Sequence, residues 1–301
     1  METTFKKYEF MVLNIPHAST NIPEHYMPNW DPRRMMRIIW QGNEESLFSK
    51  RERNKKLYAE LYSLRSRPLI DYYTDELFDT IAVRIRTVAS EICRTLCDVE
   101  RMVNDPLEEK GFGIFCKRMV ERERPCGGAG SRIVFKREFF DPTCKHLVEY
   151  YVQHQSRLIQ AIVSSAYFLN KYYGDNSVLL LDCHSFSSMP TALCDPGPLD
   201  EQVDICIGYN DDATRPREEM IDFVVAHFEE LGYKVGRNTP FSHSKTVECP
   251  VPYHSLMIEV NKRCYMNEQT LEKTEGFTRL RRAILSLYSK ILMNGGNSIY
   301  L

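Results

Sequence analysis

LLLDCHSFSSMP, residues 179–190, carries a buried strand straight into reactive side chains. Leu179, Leu180 and Leu181 form the continuous apolar run of a strand covered on both faces. Asp182, Cys183, His184 and Ser185 follow with no turn residue between. Two readings are open for such an ending. His184 is either a satisfied histidine at a capped strand end or a side chain delivered to a site. The other strand ends bear on the choice.

Working outward, FMVLNIPH (10–17) is a second short apolar run, ended by Pro16 and followed by His17. SEICRTLCD (90–98) alternates partly and reads as another strand, and further strands are expected at 178–183, 203–209, 233–236 and 256–261. Helices are expected within 31–65, broken near Gly42-Asn43, and over 137–173, 215–231 and 269–293, the last stopped by Gly295-Gly296. Residues 104–135 hold five glycines and mixed charges, the mark of a long excursion. Strands alternating with helices predict an α/β fold: one domain over 1–301 with a mostly parallel, helix-covered central sheet.

Composition narrows the function classes. The 301 residues are 43% hydrophobic and 27% charged, with 39 basic against 41 acidic side chains, so nothing draws the chain to nucleic acid or an anionic membrane. Lys50-Arg51-Glu52-Arg53 and Lys117-Arg118 read as solvated faces. Ten cysteines contain no C-x-x-C pair, which argues against a zinc ribbon or a thioredoxin motif and for reduced thiols in a cytoplasm. Glu9, Asn14 and Pro16 interrupt any signal-like apolar run, and no stretch approaches the roughly 18 apolar residues of a membrane span.

In open α/β sheets ligands bind beyond the carboxyl ends of the strands. Strand 10–16 ends at His17, strand 178–183 at His184, and strand 256–261 carries Glu259. TDELFD (74–79) sets Asp75, Glu76 and Asp79 at a helix start, where acids also serve the helix dipole. Two histidines and a carboxylate at converging strand ends fit a catalytic zinc site with three protein ligands and one open position. Glu259, inside the apolar MIEV, is either half of a buried ion pair or a general base. Arg94 and Arg101 lie seven apart with Asp98 between them, suited to bidentate capture of a carboxylate or to pairing with Asp98 and Glu100.

In order along the chain, IPHASTNIP, TDELF, CRTLCDVER, YYVQH, LDCHSF and MIEVNKRCYMNE resemble the N-formylglutamate amidohydrolase family over about residues 10–270. That family is similar in fold to the zinc carboxypeptidase and aspartoacylase hydrolases. The resemblance implies an amino-acid-catabolic hydrolase, of the kind that serves histidine degradation. Its substrate would be a small N-acyl amino acid such as N-formyl-L-glutamate, and its cofactor Zn2+ or another divalent metal activating water. His17 and His184 would be metal ligands. Carboxypeptidase-like enzymes often take their acid three residues after the first histidine; Thr20 stands there, so Asp75, with Glu76 as the alternative, would supply the carboxylate.

Glu259 would be general base and proton shuttle. Arg101, with Arg94, would hold a substrate carboxylate or polarise the scissile carbonyl, and the substrate-binding set extends to Asn238. His154, on a helix, fits packing as well as a site role. GRNTPFSHSKTVECPVPYH (236–254) departs from the arginine- and glycine-rich segment of better-known members, with Arg237, His243 and His254 as possible replacements. Rival readings are a carboxypeptidase-like or cell-wall amidase activity on a larger substrate, and a non-catalytic binding protein on the same scaffold. The oligomeric state is left open.

Overall fold

Four β-strands that bury almost every side chain cannot solvate their backbone groups and must pair with neighbouring strands. In the computed structural model, which describes residues 8–23, 69–108, 112–115, 118–122, 131–136, 144–172, 178–191 and 196–292, they do so in one six-stranded sheet. The elements, in chain order, are β1 (Phe10–Ile15), α1 (Thr74–Phe78), β2 (Ile85–Ala89), β3 (Arg118–Arg122), β4 (Ser131–Lys136) and α2 (Cys144–Tyr172). There follow β5 (Val178–Phe186), β6 (Ile205–Gly208), α3 (Glu218–Glu230), β7 (Val235–Arg237), β8 (His254–Asn261) and α4 (Glu275–Ile291).

The strand order is β2-β1-β5-β8-β6-β7. All neighbours are parallel except β8 and β6. β5, buried along its whole length, lies between β1 and β8. Its register sets Asn14 beside Asp182 and His184 beside Glu259. Alternate residues of each strand feed opposite faces. Met11, Leu13, Leu179 and Leu181 pack with Leu77 of α1, Val224 and Phe228 of α3, and Leu280, Ile284 and Tyr288 of α4. Phe10, Val12, Val178 and Leu180 pack with Leu158, Ile162 and Ala166 of α2. The sheet is therefore mostly parallel and covered by helices on both faces, as expected.

Two expectations shift. Residues 90–98 form no strand; the strand is β2, immediately before them. After the ladder bond from Ser90 N to Ile15 O, at 3.0 Å, the chain turns, with Leu96 N and Cys97 N both donating to Cys93 O. Ile92, Leu96 and Cys97 then bury in a local cluster with Val99 and Leu147 instead of on the sheet. β5 also runs three residues beyond 178–183, so His184 sits within the strand. The excursion expected at 104–135 holds β3 and, but for its last residue, β4, an antiparallel pair forming its own sheet. The expected helices of 31–65 and the Gly295-Gly296 stop lie outside the described residues. Among the described residues no helix is long and apolar enough to cross a membrane.

Candidate metal centre

Three segments meet at the carboxyl ends of β1 and β5. His17 follows β1 after Pro16, and its carbonyl accepts the backbone N–H of Asp71 at 3.0 Å. That bond seats the segment before α1 alongside His17. Asp71 is then turned inward: its carbonyl accepts Thr74 Oγ1 at 2.8 Å, and its Oδ2 accepts Ser185 N at 3.2 Å. His17, Asp71 and His184 are 3%, 2% and 8% exposed, too buried for polar groups without defined partners.

Their ligand atoms form a triangle. His17 Nδ1 stands 3.2 Å from His184 Nδ1, His184 Nδ1 stands 3.2 Å from Asp71 Oδ2, and His17 Nδ1 stands 3.5 Å from Asp71 Oδ2. Three ligands of a tetrahedral zinc ion with bonds of about 2.0–2.1 Å stand about 3.3 Å apart. The donor set of two imidazoles and one carboxylate, and its spacing, fit a divalent ion.

Behind the triangle each imidazole is held through its far nitrogen. His17 Nε2 donates to Asp98 Oδ1 at 2.8 Å, and His184 Nε2 donates to Asp182 Oδ1 at 3.0 Å. A carboxylate can only accept, so each Nε2 carries a proton, and holding an ion at the triangle would require both Nδ1 atoms to be unprotonated. Arg94 holds Asp98 through Nε and Nη2, at 3.2 and 2.8 Å from Oδ2, and Glu100 N donates to Oδ1 at 3.0 Å. Asn14 Nδ2 donates to Asp182 Oδ1 at 2.9 Å and to Glu100 Oε1 at 2.5 Å. A second grouping of Glu100, Asp182 and His184 is therefore already bridged by N–H donors.

The electrostatics follow. Burial alone would raise Asp71, but hydrogen bonds and charge from His17 and His184 hold its carboxyl far below the usual range. Asp98 is likewise held low, burial being outweighed by the charges of Arg94, His17 and Arg101. His184 is pushed well above its ordinary value: burial opposes its charge, and Asp182 and Asp71 outweigh that. Glu259, 8% exposed and in register with His184, is raised to about 8 by burial, with the His184 charge pulling the other way. Its carboxyl makes no hydrogen bond to a described residue.

The carboxylate between the histidines is Asp71, not Asp75 or Glu76. Both of those lie exposed on the first turn of α1, whose inward face is Thr74, Leu77 and Phe78. Glu76 pairs with Lys273 Nζ at 2.5 Å. The missed signal is in LID (69–71), an apolar pair running into a carboxylate just as LLLD does at 179–182.

Arg94 has all three nitrogens engaged within the protein, the third on Leu69 O at 3.2 Å. Arg101 is different. Its Nε lies 3.4 Å from Asp98 Oδ2 and is buried without a hydrogen bond, and its terminal nitrogens have none among the described residues. His154 stands behind Asn14, its Nε2 donating to Asn14 Oδ1 at 3.2 Å; burial first, then the charges of Lys245 and Arg157, lower it to about 3.

Asn238 is used in a turn. At φ 50° its backbone N donates to Ile207 O at 2.9 Å, and its Oδ1 accepts Tyr209 N at 2.9 Å. Arg237 pairs with Glu218 and Asp222 of α3, and His243 with its neighbour Ser242. His254 opens β8, against Tyr8 at the other end of the sheet. From 236–254 it is Lys245 that reaches the cluster, its N–H donating to Asp182 Oδ2 at 2.9 Å.

No curated protein matches this chain. A crystal structure of N-formylglutamate amidohydrolase from Ralstonia eutropha JMP134 is similar, with a TM-score of 0.63 and 21% identity over 95% of this chain and 94% of that one. At that identity the likeness speaks for the fold. The family model described as N-formylglutamate amidohydrolase matches residues 10–266, which span β1, His17, Asp71, His184 and Glu259, and the chain belongs to that family of amide hydrolases.

Proposed function

We propose that the chain is a metal-dependent hydrolase, one catalytic domain that cleaves the amide of an N-acyl amino acid such as N-formyl-L-glutamate to formate and glutamate. The observation that carries this is the triangle of His17 Nδ1, Asp71 Oδ2 and His184 Nδ1, with each imidazole bound to a carboxylate through its far nitrogen. His17, Asp71 and His184 would hold the ion. When bound, zinc supplies a Lewis acid that polarises the scissile carbonyl and lowers the pKa of water.

The protein's own groups do the rest. Asp98 and Asp182 keep both Nε2 protons in place and so keep the ring planes fixed. Glu259 accepts the proton of the attacking water and returns it to the departing amine. Burial raises the Glu259 carboxyl to about 8 and excludes competing water, and the charge of a divalent cation beside it would favour the ionised, proton-accepting form. Arg101, with its terminal nitrogens uncommitted among the described residues, pairs with the substrate carboxylate as a planar fork.

Glu259→Gln is the test against a binding protein on the same scaffold. It keeps size and hydrogen bonding but cannot take the proton. The variant is expected to keep its zinc and thermal stability while kcat on N-formyl-L-glutamate falls by about 10²–10⁴. Near wild-type turnover with zinc retained would make Glu259 a structural carboxylate and remove this mechanism.

A further inference from the structure

The metal reading does not account for the buried cation Lys245. Lys245, on the connection between β7 and β8, is buried, yet its Nζ contacts no carboxylate among the described residues. It donates to the carbonyls of Val99 and Glu100, each at 3.2 Å. Its backbone N–H donates to Asp182 Oδ2 at 2.9 Å, and its own carbonyl accepts Ser255 Oγ of β8 at 2.6 Å.

These contacts join two halves of the centre. One half is His17 with Asp98, and Asp98 belongs to the turn after β2, next to Val99 and Glu100. The other is His184 with Asp182, both on β5. β1 separates the two strands in the sheet, so no ladder bond fixes the turn against β5. The links across are Asn14, donating to Glu100 and Asp182, and Lys245, bound to the same turn and to the same aspartate.

We infer that Lys245 is a positioning residue for the metal centre: its side chain and backbone N–H together fix the distance between the two histidine–carboxylate pairs, and so the 3.2 Å gap between His17 Nδ1 and His184 Nδ1. This rests on the proposed metal site. A long cationic side chain suits the task because an ammonium group donates to two carbonyls at once at the end of a flexible stem. Loss of the ammonium leaves both carbonyls unpaired in a buried place and frees the turn to shift. Partners of this outer kind typically carry about 10–100-fold in metal affinity.

The experiment measures the zinc dissociation constant by chelator competition, and the melting temperature of the metal-stripped protein, for wild type, Lys245→Met, Lys245→Arg and Lys234→Met. Lys234 is the control, since its exposed Nζ also donates to two backbone carbonyls, those of Asp200 and Glu201. Lys245→Met is expected to weaken zinc binding about 10–100-fold, Lys245→Arg to recover part of the loss, and Lys234→Met to match wild type. Zinc affinity within twofold of wild type in Lys245→Met, whatever its melting temperature, overturns the inference and leaves the metal site standing. If Lys245→Met does not fold, Lys245→Gln takes its place under the same two outcomes. A wild type that binds no zinc overturns the metal reading, and this inference with it.

Discussion

Asp71 and Asp75 are four residues apart and chemically identical, and only their surroundings separate them. Asp71 meets two imidazoles and a backbone N–H in a dry place; Asp75 meets solvent. Asp71→Asn keeps the shape but loses the anionic ligand, so zinc content after reconstitution is expected to fall to background. Asp75→Asn and Glu76→Gln are expected to retain wild-type zinc. Elemental analysis of the three proteins decides, and zinc retained in Asp71→Asn would place the carboxylate elsewhere. Arg101→Lys preserves charge without the fork. Its KM for an N-acyl amino acid is expected to rise about tenfold or more, with zinc content unchanged. Kinetics equal to wild type would remove Arg101 from the substrate site.

The two histidines were legible in sequence because each ends an apolar run. Asp71 was not, because an acid just before a helix looks like a dipole partner. Its tie to His184 crosses more than a hundred residues and leaves no spacing to read. Lys245 was hidden for the same reason, inside a segment legible only as unlike its relatives.

Among the elements, β1, β5 and β8 could be read directly, since strands buried on both faces are written as continuous apolar runs. β2 could not. As an edge strand it buries only Ile85 and Val88, three apart, and exposes Arg86, so no period of two shows, while the run after it borrows strand-like spacing for a packed turn. Helix α2 shows how an element serves the site at one remove. Its inward face packs Leu158 and Ile162 on the sheet and offers His154 to Asn14.

His154, lowered to about 3 in the folded chain against an ordinary 6.5, takes up its proton mainly when the chain unfolds. Its contribution is thus fully present above about pH 6.5 and is lost as pH falls toward 3, at about 1.4 kcal/mol per pH unit. His154→Gln keeps a donor for Asn14 and cannot titrate. Between pH 6.5 and 5 the wild type is expected to lose about 2 kcal/mol more than this variant in denaturant unfolding. Equal losses would mean that the ring protonates without leaving its place.

At the scale of the molecule, the candidate site is a product of strand order. β1, β5 and β8 are neighbours and parallel, so His17, His184 and Glu259 arrive at one end of the sheet although they are far apart in the chain. A bound ion would therefore tie the β1 end, the segment before α1 and β5 together in the native state alone. The melting temperature is expected to rise with free zinc, by an amount equivalent to about 2.7 kcal/mol at a hundred times the dissociation constant, and to return on chelation. A melting temperature indifferent to zinc would speak against a preformed site.

The same strand order bears on how the chain is made. β8 is synthesised after β6 and β7 yet lies between β5 and β6. Until residues 254–261 leave the ribosome, β5 presents its Leu179–Phe186 edge without a partner, and β6 and β7 have no sheet to join. An open apolar edge is a template for a neighbouring chain. The nascent protein must hold that slot clear until β8 inserts, and the interval before that insertion leaves it exposed to self-association.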